Sequence, residues 1–307
     1  MAVQVLVTGA HGFLGRHVAR WFARAGHSVT GIGHGVWPVE EWQSWGLTAW
    51  HSVDVNLQML CLHGGEPDII VDCAGSGSVS FSIEQPLEDF ERTVVSTAHV
   101  LEFVRLYVPS CRVVYPSSAG IYGIAAVVPI PEDAPAAPIS QYGTHKWMAE
   151  QMVSSYAQQF KLRAAVVRLF SVYGCGLRKQ LLWEACRKFA NSDPLFMGTG
   201  CEVRDWLHVE DAAELLGVAA GHASPSCPVA NGGTGEGASV RDVLTHLSEC
   251  LEGVPYPVFS GTSRRGDPSR YIAKIPKASS WGWVPTRPWR DGVAEYSRWW
   301  KENCQAK

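Results

Sequence analysis

The sequence is short of several things, and each shortage excludes something. Its nine cysteines, at 61, 73, 111, 175, 186, 201, 227, 250 and 304, are odd in number and include no C-x-x-C pair. A disulfide framework would be denser and even-numbered, and a zinc site would show paired spacing. The thiols therefore read as reduced, mostly buried groups of a cytoplasmic protein without a metal centre. Between Arg24 and Arg92 there is no Lys or Arg, and the formal charge is −3, so no basic stripe offers itself to a nucleic acid. No apolar run approaches the ~18 residues of a membrane span, and the N-terminus lacks the charged flank and cleavage site of a secretory signal. Neither nucleic acid nor membrane is expected as a partner.

What the chain does have is apolar residues, 46% of 307, against 18% charged. That is enough for one large core or two ordinary ones. Its 13 tryptophans cluster at 37, 42, 45 and 50 and at 281, 283, 289, 299 and 300, and are expected to pack rather than to cage a ligand. Short apolar runs at Gln4–Val7, Val29–Ile32, Ile69–Cys73, Val113–Tyr115 and Ala164–Leu169 read as buried strands, with Leu47–Trp50 a weaker candidate. Helical patterns fall at His17–Ala25, Pro86–Val108 and Gln141–Phe160. This alternation predicts an α/β fold with a doubly wound parallel sheet. After Tyr173, Gly-, Ser- and Pro-rich loops separate short helices such as Lys179–Phe189 and Val240–Leu251. They predict a smaller C-terminal α/β lobe over the carboxyl ends of the strands, where ligands of such sheets bind. The expected division is residues 1–174 with 204–235 returning to them, and 175–203 with 236–307 as the substrate lobe.

Two local patterns carry chemistry. Thr8-Gly9-Ala10-His11-Gly12-Phe13-Leu14-Gly15 follows the first strand and opens a helix. Gly9 allows the tight turn, Gly12 lets backbone N–H groups approach a pyrophosphate, and Gly15 lets the helix lie close to the strand. The helix N-terminus supplies free donors for the anion. An acid at the end of the second strand would hold the ribose hydroxyls, but Gly33 stands there. The chain around Gly33 offers a 2′-phosphate only His34. NAD and NADP both stay open, NAD slightly favoured, with Asp54-Val55 placed to meet the adenine. The second pattern is Tyr142-Gly143-Thr144-His145-Lys146, which puts a phenol and an ammonium on one helix face. A close ammonium would lower the phenol's pKa and make proton exchange with a sugar hydroxyl feasible. Ser118, in Pro116-Ser117-Ser118-Ala119-Gly120-Ile121-Tyr122-Gly123, follows a strand and can hydrogen-bond the same substrate oxygen.

Taken together these motifs resemble the extended short-chain dehydrogenase/reductases of the NAD(P)-dependent epimerase/dehydratase family. The resemblance extends to Cys73-Ala74-Gly75, Pro86-Leu87-Glu88-Asp89-Phe90, Arg168-Leu169-Phe170-Ser171-Val172-Tyr173-Gly174, Arg204-Asp205-Trp206-Leu207-His208-Val209-Glu210-Asp211, Asn231-Gly232-Gly233-Thr234-Gly235 and Arg264-Arg265-Gly266-Asp267. It implies a Rossmann-type fold, with Tyr142 as acid/base, Lys146 as phenolate stabiliser and ribose ligand, and Ser118 as their polar partner. It also implies Cys73, Ala74 and Gly75 along the cofactor, Ser171 near the sugar, Arg204 and Arg264 on a nucleotide diphosphate, and Asp267 on its ribose. The reaction it implies is 4-epimerisation of a nucleotide-diphosphate hexose. The alternatives are an NADPH-dependent 4-ketoreductase and, in another class, a non-catalytic dinucleotide-binding regulator. Ala119-Gly120 replaces the acidic pair expected of a 4,6-dehydratase. A homodimer through the helices at 86–108 and 141–160 is also implied, with Leu87, Phe90, Val94, Leu101 and Val104 as an apolar stripe.

Overall fold

The computed structural model describes residues 3–262 and 269–304. Six strands, β1 (Gln4–Thr8), β2 (Ser28–Gly33), β3 (Ala49–Ser52), β4 (Ile69–Asp72), β5 (Arg112–Ser118) and β6 (Arg163–Leu169), are joined by Val229–Gly232 in a seven-stranded sheet. Every pairing in it is parallel. From edge to edge the order is Val229–Gly232, β6, β5, β4, β1, β2, β3. The chain thus builds outward from β1 in one direction, then restarts at β4 and builds in the other. The crevice between the carboxyl ends of β1 and β4 is where the two halves part, and ligands bind at such a switch point.

Alternation within each strand explains the layers. Val5, Val7, Val114, Ala165 and Val167 face one core, shared with Val18, Ala19 and Phe22 of helix α1 (Phe13–Arg24) and with helix Val209–His222. Leu6, Val113, Tyr115, Ala164 and Val166 face the opposite core, under Leu60, Val100, Leu101, Val104, Ala149 and Val153. A period of two on a sheet covered on both sides requires this division. A third core gathers Tyr173, Leu182, Phe189, Leu244, Leu247, Tyr296 and Trp300 beyond the carboxyl ends of the strands.

The sequence-based helix bounds are matched at Gln141–Phe160 and Val240–Leu251. The strand expected at Leu47–Trp50 lies slightly later, at Ala49–Ser52. Helix 86–108 is interrupted by a π turn at Glu91–Val95. Thr93 in this turn accepts from Ser76 N (3.4 Å) in the loop after β4, and Thr97, just beyond the turn, donates through Oγ1 to Asp72 (2.9 Å) at the end of β4. The apolar stripe on this helix divides. Val94, Leu101 and Val104 are buried against the body of the protein, and only Leu87 is fully outward, at 69% exposure. The thiols divide as well: Cys111, Cys186 and Cys227 are buried, but Cys61 and Cys201 are exposed. No helix among the described residues is long and apolar enough to cross a membrane.

His17 of α1 is buried, contacts Cys175 O (3.2 Å) and lies beside Arg20. Burial, with Arg20 next in weight, pushes its pKa down to about 3. A folded-state pKa below the unfolded one near 6.5 stabilises the fold above 6.5, and that stability drains away as the pH falls toward 3. His17→Gln, which still offers the Cys175 carbonyl a donor, should flatten the fall in Tm between pH 6.5 and 4. An unchanged slope in thermal melts would contradict this.

Candidate active site

The phosphate turn is set by how closely two backbones approach. Gly9 has φ +62°, and its N–H donates to Ile32 O (2.7 Å). A Cβ on Gly15 would stand 2.3 Å from Gly9 O, and one on Gly9 would stand 2.6 Å from Cys73 O. Any side chain at either position would drive α1 or the loop after β4 away. Gly12, the N-cap of α1, would meet only Gly9 O, at 3.0 Å, and no side chain caps the helix there. The first-turn N–H groups therefore face the crevice with no protein oxygen bonded to them as a cap.

The floor of the crevice is a buried polar network that the sequence reading missed. Asp72, at the end of β4, accepts from Thr8 Oγ1 (2.6 Å) and Thr97 Oγ1 (2.9 Å), and Ala74 N donates to Thr8 Oγ1 (3.0 Å). Burial raises the Asp72 pKa, while the two threonine hydroxyls and the Lys146 charge work against that.

Beyond it stands the helix Gln141–Phe160, capped by Ser140 Oγ, which accepts from Gly143 N (3.1 Å). A Cβ on Gly143 would lie 2.6 Å from Gly120 O, so only glycine lets this helix lean onto the turn after β5. That contact brings Tyr142 beside Ser118, whose hydroxyl works to lower the phenol's pKa. Ser82 Oγ accepts from Tyr142 N (2.9 Å) and fixes the other side. Lys146 Nζ donates to Pro116 O (3.0 Å) and lies 4.9 Å from the Tyr115 ring centre. Burial lowers its pKa, with Asp72, Cys73 and Asp89 opposing. Asp89 is itself buried and paired with His145 Nδ1 (2.5 Å) one turn past Tyr142.

Here one expectation needs correction. The Tyr–Lys spacing implies an ammonium that depresses the phenol's pKa. In the structure burial dominates and raises the Tyr142 pKa, Asp89 adds to the rise, and the group that lowers it is Ser118. The Lys146 ammonium is directed instead to the Pro116 carbonyl and toward Asp72.

A cavity of about 690 Å³ joins these parts. Gly12, Phe13, Leu14 and Gly15 line it on the phosphate side, and Cys73, Ala74 and Gly75 beneath. Ser118, Tyr142 and Lys146 form its reactive wall, and Ser171 and Arg204 line the far side. Arg204 is placed by its neighbour: buried Asp205 accepts from Thr234 N (2.6 Å), Thr234 Oγ1 (2.8 Å), Gly235 N (3.0 Å) and Ala273 N (3.1 Å). Asn231 is likewise structural, accepting from Tyr122 OH (2.7 Å), which in turn accepts from Arg168 (2.9 Å). Arg264 and Asp267 lie outside the described residues.

His11, His34, Asp54 and Val55 do not line this cavity. The first three neighbour one another: His11 Nδ1 lies 3.2 Å from His34 O, and His34 Nε2 lies 3.2 Å from Asp54. Val55 packs half-buried under the sheet. A Cβ at Gly33 would come 3.2 Å from Gly9 Cα and 3.4 Å from the Trp50 ring, a tight fit for the acid the pattern leads one to expect. The same corner does contain a cation, contrary to the sequence reading. Arg16, arriving from α1, donates to His11 O (2.7 Å) and lies 5.2 Å from both the Trp37 and Trp45 rings.

The chain matches the NAD dependent epimerase/dehydratase family over residues 5–228. It belongs to that family. It is 30% identical to a UDP-glucose 4-epimerase of Corynebacterium glutamicum, over 92% of this chain and 91% of that one. To a UDP-glucose 4-epimerase of Azospirillum brasilense it is 29% identical, over 98% and 93% respectively. Among solved structures, MoeE5 in complex with UDP-glucuronic acid and NAD superposes with a TM-score of 0.85 at 28% identity, over 97% of this chain and 99% of that one.

Gly15→Ala should abolish dinucleotide binding and cost about 1–3 kcal/mol of stability, because the added methyl has only Gly9 backbone to push against. Binding calorimetry with NAD and denaturant unfolding check the two effects; wild-type affinity would contradict the proposed seating of α1.

Proposed function

We propose that this chain is a nucleotide-diphosphate-sugar 4-epimerase working with a tightly held NAD or NADP. The observation that carries this reading is one cavity lined by the glycine turn, by the Tyr142–Ser118 pair and by Arg204. The residues fit a dinucleotide. Gly12 and the first turn of α1 would take its pyrophosphate, Cys73, Ala74 and Gly75 would flank it, and Lys146 would hold the ribose beside the nicotinamide. His11, His34 and Asp54 would meet the adenosine end. When bound, the nicotinamide supplies a hydride acceptor and donor at the sugar's C4.

The chain's own residues do the rest. Tyr142 receives the C4 hydroxyl proton as the alcohol is oxidised, and gives it back when the keto sugar is reduced on its other face. Ser118 donates to or accepts from the same oxygen and stabilises the phenolate. Arg204 and Arg264 pair with the diphosphate of the substrate, with Asp267 on its ribose and Ser171 lying near the sugar. The Corynebacterium glutamicum and Azospirillum brasilense relatives are UDP-glucose 4-epimerases, and a Methanocaldococcus jannaschii protein described as a putative UDP-glucose 4-epimerase is 26% identical over 97% of this chain. The Arg16 guanidinium is engaged by two indoles and His11 O, which favours NAD over a 2′-phosphate. The domain division read from the sequence is retained in this proposal. So is the cytoplasmic setting, on the spacing of the thiols.

A second reading, a 4-ketoreductase releasing its cofactor each cycle, is favoured by one observation, the absence of an acid at Gly33. Dinucleotide recovered from denatured purified protein separates the two, since only the epimerase must retain it. A two-fold dimer through helices 86–107 and 141–160 would cover Leu87 and Met148, both exposed, and light scattering tests it.

Tyr142→Phe should fold, keep its dinucleotide and lose at least about 10²-fold in kcat on interconverting UDP-glucose and UDP-galactose. Unchanged turnover would remove Tyr142 from the chemistry. Ser118→Ala deletes the one neighbour that lowers the Tyr142 pKa, so the rising limb of the pH–kcat profile should move to higher pH. A limb left in place would assign the phenol's acidity to another group.

A further inference from the structure

The segment after Tyr173 crosses the mouth of the crevice and is tied down at three points. Cys175 O contacts His17 Nε2 of α1 (3.2 Å), and Leu177 O accepts from Tyr296 OH (2.7 Å). Gln180 Nε2 donates to Gly77 O (3.3 Å), in the loop that follows β4. It therefore spans the two elements that flank the proposed pyrophosphate site, α1 on one side and the loop 73–77 on the other. Gln180 is held at φ +66°, a left-handed conformation unfavourable for an L-residue. Such strain persists only where surrounding contacts fix it.

Lys179 is carried by this segment and lines the cavity. Its ammonium stands 3.0 Å from the position that a Cβ on Gly77 would occupy, so it fills the space that a side chain from the opposite wall would take. Among the described residues no carboxylate pairs with it. The residue as a whole is exposed, and partial burial of its ammonium lowers its pKa below the usual lysine value. A cation lining the cavity without a protein counter-charge is arranged for an anion from outside. Two anionic groups would enter this cavity, the cofactor pyrophosphate and the substrate diphosphate. Position separates them. Lys179 lies across from Gly77 on the phosphate-turn side, and its neighbour Arg178 is close enough to Arg16 of α1 to lower that residue's pKa. Arg204 already serves the other side.

We propose that Lys179 is a cofactor ligand: its ammonium pairs with the pyrophosphate of the bound dinucleotide, and segment 174–180 straps the cofactor into the crevice. This rests on the cofactor reading above and adds to it a cation supplied by the substrate lobe rather than by the Rossmann half. The strap joins cofactor retention to the lobe that receives the sugar.

The test is calorimetric titration of wild type, Lys179→Ala and Lys179→Arg, each first freed of any retained dinucleotide, with NAD and, separately, with UDP, at two salt concentrations. The expected result is NAD affinity about tenfold weaker in Lys179→Ala, with a flatter salt dependence and largely restored in Lys179→Arg, and UDP affinity within about twofold of wild type. NAD affinity within twofold of wild type in Lys179→Ala would overturn the proposal. So would a loss confined to UDP, which would assign the cation to the sugar nucleotide. A Lys179→Ala protein that melts with wild-type Tm excludes misfolding as the cause, and Lys179→Arg carries the comparison if it does not. Wild type that binds neither NAD nor NADP would overturn the cofactor reading itself, an outcome distinct from equal binding by both proteins.

Discussion

The backbone of Gly15 lying against the carbonyl of Gly9 is the contact on which the rest of the site depends. It seats the N-terminus of α1 directly over the carboxyl end of β1, at the place where the sheet order reverses. Because Gly9 itself abuts the Cys73 carbonyl, the turn also fixes the loop after β4. Two backbone approaches thus set the width of the crevice, and no side chain can substitute for either without widening it. Helix dipole and open N–H groups then supply an anion site at no cost in side-chain ordering.

A second close approach of the same kind, Gly143 on Gly120, places the reactive wall. It brings the helix carrying Tyr142 down onto the turn carrying Ser118, and the phenol becomes buried as a result. Burial is what makes it a reluctant acid, and Ser118 is the counterweight. Lys146 meanwhile is held by the Pro116 carbonyl, and Asp72, which accepts from two threonine hydroxyls, favours its charged form. The site is therefore a balance among buried groups and not a simple phenol–ammonium pair.

Sequence patterns made the sheet, the glycine turn and the wall of Ser118, Tyr142 and Lys146 legible because each depends on short-range periodicity or spacing. Gln141–Phe160 is bounded by a serine cap and a fixed helical face, which is why its limits could be read. What escaped depends on residues far apart in the chain. Arg16 reaches the corner beside His34 only because α1 packs there, and Lys179 meets Gly77 across a fold that no local pattern encodes. The Tyr142 pKa could not be read from spacing, because it follows from burial. The apolar stripe at 86–108 is ambiguous for a related reason: a helix covering a sheet and a helix pairing with another copy show the same periodicity, and of its residues Leu101 and Val104 pack in the core under the sheet.

The central claim is that oxidation and reduction at one sugar carbon take place in a single cavity around one retained dinucleotide. It is tested most directly by turning over UDP-galactose deuterated at C4, mixed with unlabelled substrate, in ordinary water. The account predicts UDP-glucose that keeps its deuterium at C4, in a protein that consumes no added dinucleotide. Loss of the label to water, or turnover only with stoichiometric NADPH, would contradict it.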